Sequence, residues 1–215
     1  MDLVKKIQSQ IEALYGIRIG EQAENYLIDK HELLEILPSH QQTVIPKELF
    51  LVNPNPQNET LEVALFLDSA LKQNLTTNNP LQKLDQQNIS DFCTLIEGVS
   101  HFVYYVHKAC LDFEITELEL ELQAEIDKFL LLTMLVGTNG GNIQSIFELL
   151  FEDYRLVAKL SDAQKERYHT ASSLARKYCY QLSKNLQLEH HQALFNDIRL
   201  FYPLTQEQKI RHIMQ

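Results

Sequence analysis

Tryptophan is absent, glycine and proline number six each, and cysteine occurs three times in 215 residues. So few glycines and prolines exclude collagen-like and linker-dominated architectures. Cys93, Cys110 and Cys179 lie far apart with no C-x-x-C pair, so they form neither a disulfide framework nor a thiolate zinc site. Free cysteines of this kind pack as small hydrophobes, and a cytoplasmic compartment is the expectation. Long apolar runs are also missing. Phe129 to Val136, the longest, is broken by Thr133 and falls far short of the roughly 20 residues that cross a bilayer. The opening Met1-Asp2-Leu3-Val4-Lys5-Lys6 has no apolar stretch behind it of the kind a signal peptide needs. No membrane partner is expected. Positive charge is in deficit: 19 Lys and Arg stand against 29 Asp and Glu, for a net charge of −10. That balance argues against a phosphate-backbone binder, and so against a nucleic-acid partner.

What is present is a globular composition, 45% hydrophobic and 22% charged. A chain of this length buries about 70% of its unfolded surface, so its core needs neither disulfides nor a structural metal. The Asn/Gln-rich, Trp-free composition has a bacterial, cytosolic cast.

The spacing predicts a mainly α (α+β) fold, a helical bundle with an N-terminal subdomain that contains a β-hairpin. Leu3, Val4, Ile7, Ile11, Leu14 and Tyr15 recur at helical spacing up to Gly16. Asp29-Lys30-His31-Glu32 reads as a capping box for a short helix that stops at Pro38. Then the period changes. Residues 47–52 and 60–67 are β-rich around the turn-forming Asn53 to Asn58, and Leu61, Val63, Leu65 and Leu67 alternate with Glu62, Ala64 and Phe66. Asp68 and Ser69 cap another short helix. Residues 74–88 are the best internal boundary, dividing residues 1–80 from a bundle over 81–215, the two packed as one unit.

Beyond Asn88 the chain reads as mostly helical. Phe92, Ile96, Val99, Val103, Val106 and Cys110 step by four and three, the spacing of a bundle seam. A helix from about Glu114 to Val136 follows, then a Gly140-Gly141 connection to a short helix. Capping boxes at Ser161 and Thr205 open a long helix and a last short one.

Phosphate-loop, dinucleotide, nucleophile-elbow and H-E-x-x-H motifs are all missing. Gly140-Gly141 lacks the following Lys-Ser or Lys-Thr of a phosphate loop. No arginine is followed by His at the spacing that HEPN-type ribonucleases use. The positive signals are carboxylates and one imidazole. Glu97 and His101 are four residues apart, so they share a helix face and can bind one metal or exchange a proton. At about 100° per residue that face lies opposite the seam, which makes it, with Tyr104 and Lys108, a solvated polar stripe. On the next helix Glu119 and Asp127 fall on the polar side, and Glu121 at the edge. Glu125 lands on the apolar face, where Lys128 is its nearest partner. Arg176 can reach a buried carboxylate such as Glu125. His190-His191 reads as an exposed pair.

If the Glu97–His101 ridge instead faces Glu121 and Glu125, three carboxylates and an imidazole converge, a set suited to divalent iron, manganese or zinc. This partly resembles the ligand set of helical-bundle di-iron carboxylate proteins. Their Glu-x-x-His stands on two helices, whereas Glu97-x-x-x-His101 occurs here once.

Two functions follow. The first is a cytosolic interaction or regulatory module without catalysis or cofactor, binding a protein partner or itself. The second is a small helical enzyme with a metal or acid–base site, using Glu97, His101, Glu121 and Glu125, with Arg176 as the anion holder. The direction in which the Glu97–His101 ridge points separates them.

Overall fold

In a computed structural model, which describes residues 2–42, 44–55, 60–111, 113–138, 142–152, 161–187 and 191–215, local signals set most of the element ends. Helix α1 (Asp2–Tyr15) stops at Gly16, whose φ of 67° suits a residue without Cβ. The Asp29 carboxylate accepts from the His31 and Glu32 amides, and Glu32 reaches back to the Asp29 N–H, opening α2 (Lys30–Ile36). Asp68 caps α3 (Ser69–Thr77) through the Ala70 amide. The long helices are α4 (Ile89–Ala109), α5 (Glu117–Thr138) and α7 (Asp162–Gln187). Ser161 and Gln164 form the expected reciprocal pair at the start of α7. Short helices α6 (Ile143–Phe151), α8 (His191–Phe201) and α9 (Gln206–Met214) complete a mainly helical chain. Gly140-Gly141 and His190 lie outside the described residues.

The hairpin forms as read, from β2 (Glu48–Asn55) and β3 (Thr60–Leu67), paired antiparallel with Leu49 opposite Phe66 and Leu51 opposite Ala64. A third strand, β1 (Leu27–Ile28), pairs parallel with the other edge of β3. Alternation along β3 sends its side chains to two cores. Leu65 and Leu67 enter the main core, while Phe66 packs with Leu33 and Leu37 beneath α2.

The main core draws on α1, the sheet and every long helix. Residues 74–88 are knit into it: Asn88 donates to the carbonyls of Asn78 and Lys83, Asn74 donates to Gln87 and Asp91, and Leu81 and Leu84 pack on the core. Among the described residues no helix is long and apolar enough to cross a membrane.

The structure corrects the expected polar stripe. α4 packs against α1, α3, α5 and the sheet, so no broad face is left for water. His101, Tyr104 and Lys108 are buried, as are Glu119 and Asp127 on α5. A helical wheel assumes one buried side; α4 and α5 are central and have several.

Candidate metal centre

Contacts between α4 and α5 run in opposite directions along the chain. Glu97 meets Lys128, Ser100 meets Asp127, and Tyr104 and Lys108 both meet Glu119. The helices are therefore antiparallel, and the Glu97–His101 ridge points at α5.

One turn of α4 brings Glu97 and His101 to the same face, and Glu121 comes from α5. One ligand atom from each of Glu97, His101 and Glu121 lies within 4.8 Å of the other two. His101 is only 7% exposed and Glu121 9%. The imidazole is flanked on both sides: Nε2 is 3.7 Å from Glu121 Oε2, and Nδ1 is 3.6 Å from Glu48 Oε1 on β2. Both gaps are too long for hydrogen bonds. His101 Nε2 and Glu48 Oε1 are buried polar atoms without a hydrogen-bond partner. Such atoms are uncommon and costly unless something else satisfies them.

Asp127, on the same helix, shows the contrast. Its carboxylate accepts from the Tyr15 hydroxyl, from Ser100 Oγ at 2.5 Å and from Gln123 Nε2 at 2.9 Å. Both oxygens of this buried carboxylate are met by neutral donors.

Lys128 brings a cation to the cluster. Its Nζ lies 2.9 Å from Glu97 Oε2 and 2.8 Å from Glu125 Oε1, and Glu125 is itself 7% exposed. The expected Glu125–Lys128 pair is thus present, with Glu97 joined to it. Burial works against the charge on Lys128, but the Glu125 and Glu97 carboxylates outweigh it and hold the amine well above its ordinary value. Burial likewise opposes a charged His101, and Glu121 with Glu48 reverses the sign, raising it well above the ordinary histidine range. Burial raises Glu125 and Glu48, whereas Glu97, desolvated but facing Lys128 and His101, is lowered. Tyr168 of α7 lies beside the cluster; burial, then the Glu121 and Glu97 carboxylates, push its hydroxyl up.

Four carboxyl groups, those of Glu48, Glu97, Glu121 and Glu125, thus share Lys128 and His101. Buried charge of one sign demands a counter-charge. Glu97, with its side chain 24% exposed, is the member most open to solvent.

No protein-family model matches this chain. No curated protein and no solved structure is significantly similar to it either. The geometry therefore carries the reading alone.

Arg176 does not join the cluster. Its half-exposed guanidinium lies 3.5 Å from Glu152 and over the Phe147 ring, because Ala171, Ala175, Tyr178 and Cys179 occupy the core face of α7 and leave Arg176 to α6. Of the residues singled out by spacing, the structure brings Glu97, His101 and Glu121 together with Glu125 beside them across Lys128, and Glu48 and Gly98 join them without a local sequence signal. A Cβ built on Gly98 would sit 2.8 Å from Glu48 Cγ and 3.0 Å from Leu65 Cδ1, so the missing side chain is what lets the strand bring Glu48 against α4.

Proposed function

We propose that the protein binds a divalent transition ion, iron, manganese or zinc, through Glu97, His101 and Glu121, and acts as a small helical metalloprotein of the cytoplasm. The observation that carries this reading is His101 Nε2, buried beside Glu121 without a hydrogen bond. Two carboxylates and one imidazole suit these ions. Three protein ligands leave a coordination position for water or a substrate atom, the pattern of catalytic rather than closed structural sites.

The surroundings support it. A ligating histidine commonly donates its other ring N–H to a carboxylate, which fixes its tautomer and orientation. Glu48 stands on the Nδ1 side of His101, in the place such a partner takes.

The test is the metal content of untagged protein, purified without chelators, by elemental mass spectrometry beside His101→Ala. Near-stoichiometric metal in the parent that is lost in the variant is the expected result. Metal-free parent protein would favour the interaction module instead. Its support is the exposed apolar side chains Tyr180, Leu200 and Met214 on the C-terminal helices.

A further inference from the structure

Glu97 belongs to two arrangements at once. Its carboxylate offers an oxygen within 4.8 Å of the ligand atoms of His101 and Glu121, and its Oε2 also takes the Lys128 ammonium at 2.9 Å. On the far side of that ammonium stands Glu125, at 2.8 Å. A single carboxylate thus stands between two places for positive charge, one flanked by His101 and Glu121, the other by Glu125.

We infer that this is a two-cation site in which the Lys128 ammonium permanently holds the second position, so that the chain takes one divalent ion and not two. The inference rests on the metal reading above and adds its stoichiometry. Lys128 reaches its place from one helical turn beyond Glu125, on the same helix, so it is fixed by the fold rather than exchanged with solvent. A second metal ion would have to expel a buried ammonium, 7% exposed, from both of its carboxylates and leave it unpaired. With Lys128 removed, Glu97 and Glu125 are left as two buried carboxylates without their cation. Oxygen ligands of that kind bind a hard divalent ion.

Manganese(II) titrated into chelator-treated protein, with bound metal counted after equilibrium dialysis, gives the test. The parent is expected to saturate at one ion per chain, with the electron paramagnetic resonance signal of an isolated ion. Lys128→Ala is expected to saturate at two, with spin coupling between them, and adding Glu125→Gln to it should return the count to one. Two ions in the parent overturn the inference, as does a single ion in folded Lys128→Ala. Should Lys128→Ala not fold, Glu125→Gln in the parent background decides. Its one ion should bind within a few-fold of the parent affinity, and loss of that ion would make Glu125 a ligand of the first position and overturn the inference. No ion bound to the parent would fail the metal reading itself and the inference with it.

Discussion

Glu48 reaches its place because Gly98 has no side chain, and the resulting approach decides how His101 is held. Glu48 stands 3.6 Å from one ring nitrogen, and the other faces Glu121. Removing such a partner typically costs 10- to 100-fold in metal affinity. Glu48→Gln should therefore weaken metal binding by roughly 10- to 100-fold while leaving the circular dichroism spectrum unchanged. Competition against a chromophoric chelator would measure it, and an unaltered affinity would remove Glu48 from the site. At this scale the sequence was partly legible. Glu97 with His101 and Glu125 with Lys128 are local pairs, three or four residues apart on a helix, and spacing reveals such pairs. Glu48 lies on a strand remote in sequence from both helices, and no local period connects it to them. Tyr104, Lys108, Glu119 and Asp127 show a different limit: helical period puts polar residues on the solvated side, yet each has a buried partner here.

Among the elements, α9 has the least expected attachment. Its Lys209 is fully buried, donates to Gln123 Oε1 at 2.6 Å, and lies over the rings of Tyr104 and Phe201 at 4.4 and 4.7 Å. Burial lowers its amine; Glu119 and Asp127 of α5 pull it up and Lys108 of α4 pushes it down, for a value of about 7 against an ordinary 10.5. Between those values the unfolded chain binds a proton that the folded chain does not. Lys209 therefore makes stability rise with pH, by up to about 1.4 kcal/mol per unit from pH 7 upward. The contribution is least below pH 7, where both states hold the proton. Urea unfolding at pH 7, 8 and 9 should show this slope as the difference between the parent and Lys209→Met. Parallel curves would contradict it. Elements were otherwise well read where they carry their own punctuation: the Asp29 and Ser161 boxes and the turn-rich hairpin are examples. β1 escaped because two residues show no alternation, and its pairing is decided by β3.

For the molecule as a whole, the cluster joins a strand, α4 and α5, with α7 beside them, so an ion held there ties together segments distant in sequence. Any ligand that binds only the native state stabilises it by mass action, about 2.7 kcal/mol at a hundredfold excess over Kd. For a domain of this size that corresponds to a rise in Tm of roughly 5–10 °C. Manganese or zinc added to metal-free protein should produce such a rise in calorimetry, and His101→Ala should abolish it. The mainly helical fold with its small sheet was legible from periodicity, whereas the depth at which α4 and α5 lie was not. Centrality is set by how many neighbours surround a helix, and those neighbours come from distant parts of the chain.

Gly16 and Arg199 add a consequence in time. The arginine packs on the glycine and donates to the carbonyls of Leu14 and Ala13, across sequence separations of 185 and 186 residues. Tyr15 is likewise stacked on Tyr202. During synthesis at about 5–20 residues per second, α1 waits on the order of 10–40 s for the segment that closes over its last turn. Until then its apolar face, from Leu3 to Leu14, is served only by what has already emerged. Among the described helices α1 is thus one of the last to be finished, and a nascent chain stalled before α8 leaves its last turn uncovered.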